Sequence, residues 1–152
     1  MVRCPGDQKV ARAAKAVVDA SVIIKWYNLE PDAEKALELR AAYAARDIEL
    51  LAPYLIIYEI ANALRYNPDF GVEDVKSAVT DLMDMQLSLQ QLDERQIQKA
   101  TDLAFNYGIT IYDSTYLALS ETSELTLYTA DDRLIEKTAH PRIRHIRDFK
   151  TI

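Results

Sequence analysis

Short apolar, β-favouring runs alternate with segments of helical period along nearly the whole chain. Most of these runs end at an acid, a proline or a residue that starts a helix. This alternation constrains the fold strongly, because strands joined through helices pair in parallel and need helices on both faces. The pattern predicts strands at 14–18 (AKAVV, ending at Asp19), 49–52 (ELLA, closed by Pro53), 87–92, 125–129 and 143–146. Between them it predicts a short helix at 21–27, helices at 32–46, 54–66 and 72–85, and a helix at 94–107 with Asp93 before it and Gly108 after it. Further helices are predicted at 113–121 and 131–139. The expected architecture is an α/β fold, a three-layer α/β/α sandwich around a central, mostly parallel five-stranded sheet. Residues 15–152 are expected to form its single domain and residues 1–14 a flexible N-terminal extension. In such sheets ligands bind beyond the carboxyl ends of the strands.

Composition narrows the chemistry. Cys4 is the one cysteine, so no internal disulfide can form, and a reducing cytoplasm suits the chain. His140 and His145 stand near the end without the spacing of a zinc site or a serine elbow to serve. No apolar run is long enough to span a membrane. The formal charge of −6 argues against a broad nucleic-acid-binding face and in favour of a basic partner or an acidic, metal-holding cluster.

Four acids occupy positions that need an explanation. Asp19 ends the first strand, where an N-cap and a ligand-crevice role are equally open. Glu59 is the only acid in the apolar segment PYLIIYEIANALRY, with Asn62 close by on the same helical line to orient it. Burying that charge among Ile57, Tyr58 and Ile60 is costly without a partner, and the alternative is a solvated helix edge. Asp113 opens a helix within GITIYDSTYLALS, where the helix dipole alone accounts for an acid, although its neighbours are apolar. Asp131 and Asp132 follow the strand LTLYT, and a single cap needs only one of them. Together the four suit Mg2+ or Mn2+, which favour hard oxygen ligands. Neutralising Asp19, Glu59, Asp113 and Asp131 would take the formal charge from −6 to −2, so an anionic substrate is then not forbidden.

The stretches VVDASVIIKW, YEIANAL, YDSTYLALS, YTADDRL and IRDF, in this order, resemble the PIN-domain ribonucleases, most of all VapC-type toxins of toxin–antitoxin pairs. The resemblance runs from about Ala16 to Phe149. It implies a metal-dependent endoribonuclease that cleaves single-stranded RNA with Mg2+ or Mn2+. Its catalytic and metal-holding acids would be Asp19, Glu59, Asp113 and Asp131, with Ser21 and Thr129 as orienting residues. It also implies a small antitoxin whose Arg or Lys enters the acidic site, and a homodimer. The helices at 54–66 and 72–85 offer a partner groove, or simply core packing. Asp132 is read as an outward or supporting acid serving the helix dipole. Ser114 and Ser120 depart mildly from the family pattern. Lys25 and Arg133 are candidates to meet RNA phosphates, beside an ordinary solvated role.

Other readings stay open. A phosphoacceptor signalling domain also carries acids at strand ends, but it wants an acid pair where this chain has the single Asp19, and Lys150 falls beyond the sheet. An RNA-processing or non-catalytic PIN-like protein is the remaining alternative.

Overall fold

The computed structural model of the chain describes residues 13–151. The expected extension over residues 1–14 therefore lies almost wholly outside the described residues. Its last position, Ala14, is the first residue of strand β1 (Ala14–Val18).

After β1 come α1 (Ala20–Ile23), a single 3-10 turn (Ile24–Trp26) and α2 (Ala33–Ala44). Next are β2 (Ile48–Pro53), α3 (Leu55–Arg65), α4 (Val72–Asp84) and β3 (Ser88–Gln90). Then follow α5 (Glu94–Tyr107), α6 (Ile111–Ser123), β4 (Leu127–Thr129), α7 (Asp132–Thr138) and β5 (Ile143–His145). The predicted elements are present, with ends shifted by a few residues.

The five strands form one sheet in the order β3-β2-β1-β4-β5, and every pairing is parallel. Right-handed crossovers then place α1 to α4 on one face and α5 to α7 on the other, which gives the expected three-layer sandwich. The central strands are buried on both sides: Val17, Val18, Leu50 and Leu127 are fully enclosed. Such strands read as continuous apolar runs rather than alternating ones.

The chain leaves β1 toward β2 on one side and later returns to lay β4 against β1 on the other. The order therefore reverses between β1 and β4, where the carboxyl ends of two neighbouring strands open a crevice. Val17 pairs with Leu127 and Val18 with Tyr128, so the next residues, Asp19 and Thr129, emerge side by side at that crevice.

Two helix starts differ from expectation. The expected cap Asp32 precedes α2 in the left-handed conformation (φ 66°) and its side chain makes no capping bond. Helix α6 begins two residues before Asp113, because the Thr110 hydroxyl accepts a hydrogen bond from the Asp113 amide at 3.0 Å and caps the helix. At α5 the expectation holds: Asp93 and Gln96 form a reciprocal capping box, and Gly108 closes the helix at φ 65°. Among the described residues, no helix is long and apolar enough to cross a membrane.

Candidate active site

Asp19 occupies the N-cap position of α1, yet its carboxylate does not cap the helix. It is turned toward two hydroxyls. Ser21 donates to Oδ1 at 2.5 Å, and Thr129, completely buried at the end of β4, donates to Oδ2 at 2.5 Å. Both hydroxyls also act as acceptors: Ser21 Oγ receives the Ala130 amide at 2.8 Å, and Thr129 Oγ1 receives the Asp131 amide at 3.1 Å. One small network thus binds the end of β1 to the turn after β4. The two residues named from sequence as orienting groups, Ser21 and Thr129, hold Asp19 and the chain entering α7.

Asp19, Ser21, Glu59, Asp113 and Asp131 line one cavity of about 240 Å3, together with Tyr116. The acids arrive from β1, α3, α6 and the junction of β4 with α7. Glu59 accepts a hydrogen bond at Oε1 from the Tyr116 hydroxyl, at 2.6 Å. Tyr116 is 2% exposed. Asn62, the expected orienting partner one helical turn along, is exposed and does not line the cavity. Tyr116 takes that place from another helix. Sequence offered only its burial as a signal, and a buried tyrosine needs a partner for its hydroxyl.

Burial is the main cause that raises three of the acids. It pushes the Asp19 carboxyl up to about 7, opposed by the Ser21 and Thr129 hydrogen bonds and reinforced by Asp113. It raises Glu59, opposed by the Tyr116 hydrogen bond and reinforced by Asp113. It raises Asp113 too, opposed by the Thr110 hydrogen bond, while Asp131 adds to the rise and Lys137 offsets part of it. The acids therefore feel one another across the cavity. Among the described residues, no three His, Cys, Asp or Glu side chains close tightly enough to enclose a metal ion as they stand. The acids line the cavity wall rather than meeting at a point.

The two aspartates of the doublet stand in different surroundings. Asp131 lines the cavity and also caps α7, accepting the Arg133 amide at 2.9 Å and the Leu134 amide at 3.4 Å through Oδ1. Asp132 is exposed, turned away, and 2.7 Å from Arg147 Nη2, with His145 Nε2 at 3.7 Å. The cap and the cavity acid are thus one residue, because an N-cap carboxylate uses one oxygen for the helix and leaves the other free.

The two expected phosphate contacts also separate. Lys25 is buried, with its ammonium 3.1 Å from Glu30, and it does not line the cavity. A buried ammonium paired with a carboxylate is already neutralised, which takes it away from a substrate. Arg133 is exposed and lines a neighbouring cavity that shares Asp113 and Asp131 with the first.

Residues 16–140 match the PIN domain family. The chain is 33% identical over 127 residues to Ribonuclease VapC3 of Pyrobaculum aerophilum, covering 81% of this chain and 94% of that protein. It is 30% identical over 122 residues to Exonuclease VapC9 of the same organism, covering 80% and 84%. A solved toxin–antitoxin complex from Klebsiella pneumoniae shares its fold with a TM-score of 0.65, at 14% identity, over 86% of this chain and 97% of that one. The match sets aside the phosphoacceptor alternative, and the chain belongs to the PIN-domain family, among its VapC-type members.

Proposed function

We propose that this protein is a Mg2+- or Mn2+-dependent endoribonuclease that cleaves single-stranded RNA, acting as the toxin of a toxin–antitoxin pair. The observation that carries the reading is the arrival of four carboxylates, from four separate segments, around one small cavity at the sheet's reversal point. Support for RNA as the substrate comes from the relative named as a ribonuclease.

The donor set fits a hard divalent cation. All four groups are carboxylates, and Asp19, Glu59 and Asp113 are each raised by burial and by a neighbouring acid. Positive charge in the cavity would relieve that strain on all three. The open ring of acids also suits Mg2+, which keeps several waters and takes only one or two carboxylates directly. Asp19, Glu59, Asp113 and Asp131 would hold the ion, directly or through its waters. When bound, the ion supplies a reactive water at neutral pH and stabilises charge on the scissile phosphate.

The chain's own groups do the remaining work. Ser21 and Thr129 fix the Asp19 carboxylate through both of its oxygens. Tyr116 fixes Glu59 through Oε1 and leaves Oε2 free to accept a proton from the attacking water. The water forms a bond to phosphorus, the bond to the 3′ oxygen breaks, and that oxygen takes up a proton. The products are a 3′-hydroxyl and a 5′-phosphate.

A small antitoxin is the partner we assign, with an Arg or Lys entering the acidic cavity, and the chain pairs as a homodimer. The likeness of fold to a protein solved in a toxin–antitoxin complex supports the first. Exposed apolar side chains on α3 and α4, among them Tyr58 and Met83, offer partner surface. The cytoplasm, where RNA and antitoxin are made, is the setting assigned.

End-labelled single-stranded RNA incubated with Mn2+, and in parallel with EDTA, tests the reading. Internal fragments carrying 5′-phosphates, formed only with metal, are expected. Stepwise release of mononucleotides from one end would replace the endonuclease with the activity named for VapC9. Fragments formed equally in EDTA would overturn the metal-dependent mechanism.

A further inference from the structure

Beside the acidic cavity lies a second one of about 410 Å3, whose lining includes Gly108, Asp113, Asp131, Arg133 and Lys137. The two share a wall, because Asp113 and Asp131 line both. Their sizes differ in a way that matters. Sites that enclose small organic ligands span roughly 300–1,000 Å3. At about 240 Å3 the acidic cavity is below that range. The second cavity falls within it.

The charges differ as well. The second cavity has the two shared acids on one side and two cations, Arg133 and Lys137, among its other lining residues. Lys25, Lys99 and Arg147 are each paired with an acid elsewhere, whereas Arg133 and Lys137 make no ion pair with any described residue. Lys137 donates to the Gly108 carbonyl at 3.2 Å, which anchors its ammonium at the cavity edge. Once a cation neutralises Asp113 and Asp131, the balance of this cavity becomes positive.

We infer that this second cavity is a backbone subsite, in which Arg133 and Lys137 hold the RNA phosphate adjacent to the one being cleaved. The inference rests on the ribonuclease reading above and adds a direction to it, since the strand must leave the acidic cavity past Asp113 and Asp131. Arg133 and Lys137 lie four residues apart in α7, so one helix presents both cations.

Steady-state cleavage of a short single-stranded RNA with Mn2+ tests it, using Arg133→Gln and the double variant Arg133→Gln/Lys137→Gln. A charge-assisted hydrogen bond to phosphate corresponds to about 10-fold or more in affinity. The double variant is expected to raise KM by about that factor with kcat nearly unchanged. Its dependence of log(kcat/KM) on log salt should flatten by about one. An RNA with a neutral methylphosphonate at the adjacent linkage should bind wild type and variant alike. If the double variant loses its cooperative melt, Arg133→Gln alone carries the test, since its side chain makes no hydrogen bond to a described residue. Metal-dependent cleavage by wild type with unchanged KM and salt slope in the variants would overturn the subsite and leave the nuclease standing. A fall in kcat without a change in KM would overturn it too. Absence of any metal-dependent cleavage by wild type would overturn both.

Discussion

The Tyr116 hydroxyl donates to Oε1 of Glu59 at 2.6 Å, joining α6 in one helical layer to α3 in the other. This bond lowers a Glu59 carboxyl that burial raises. Its loss therefore has a definite sign. Tyr116→Phe should push Glu59 further up, so that the acidic limb of the activity profile moves to higher pH. Groups that orient a metal ligand are typically worth about 10–100-fold in metal affinity or activity. Mn2+ titration of the variant at two pH values measures this. Equal Mn2+ affinity and an unmoved limb would show that Glu59 does not depend on Tyr116.

Asp19 predicts how stability varies with pH in the metal-free protein. Its folded carboxyl titrates at about 7, against about 3.9 in an unfolded chain. Between those values the folded state holds the extra proton, so stability falls as pH rises from about 4 to about 7 and stays low above it. The loss is on the order of a few kcal/mol at most. In EDTA, Asp19→Asn should melt higher than wild type at pH 8 and show little of this slope. Adding Mn2+ at pH 8 should raise the melting temperature of wild type more than that of the variant. A wild type as stable in EDTA at pH 8 as at pH 5 would count against the buried acid.

Thr129 makes two bonds from a fully buried position, donating to Asp19 and accepting from the Asp131 amide. Thr129→Val removes both and leaves buried polar groups without partners, at a cost of about 1–3 kcal/mol each. Activity and stability should fall together. Thr129→Ser keeps the hydroxyl and should restore most of the activity. Failure of the serine to restore it would point to lost packing rather than lost hydrogen bonds.

The aspartate doublet separates cleanly by substitution. Asp131 lines the cavity, while Asp132 is an exposed partner of Arg147. Asp131→Asn should abolish most cleavage and weaken Mn2+ binding. Asp132→Asn should leave cleavage within a few-fold and cost about 0–1 kcal/mol, as exposed ion pairs do. The reverse order of effects in a side-by-side assay would assign the site to the wrong aspartate.

What could be read from residues alone follows the range of the forces involved. The apolar runs at 14–18 and 125–129 mark central strands because burial on both faces demands continuous hydrophobicity. The acids that follow them, Asp19 and Asp131, therefore fall at a strand end by chain order alone. Contacts between distant segments were not legible. Asn62 is the local choice to orient Glu59, yet the partner is Tyr116, 57 residues away. Lys25 follows the first acidic stretch closely, but its burial against Glu30 depends on how the chain turns before α2. The start of α6 is written locally: Thr110 stands three residues before Asp113, the spacing of a capping hydroxyl and its amide. Asp131 shows that a cap and a cavity-lining acid need not be alternatives, since one carboxylate does both.

The most direct test of the central claim is a crystal soaked in MnCl2, with anomalous scattering used to locate the ion. The account predicts a peak inside the cavity of Asp19, Glu59, Asp113 and Asp131, with at least one carboxylate oxygen within about 2.5 Å and waters completing the shell. Saturating Mn2+ with no peak in that cavity, the four side chains standing apart as free acids, would contradict it.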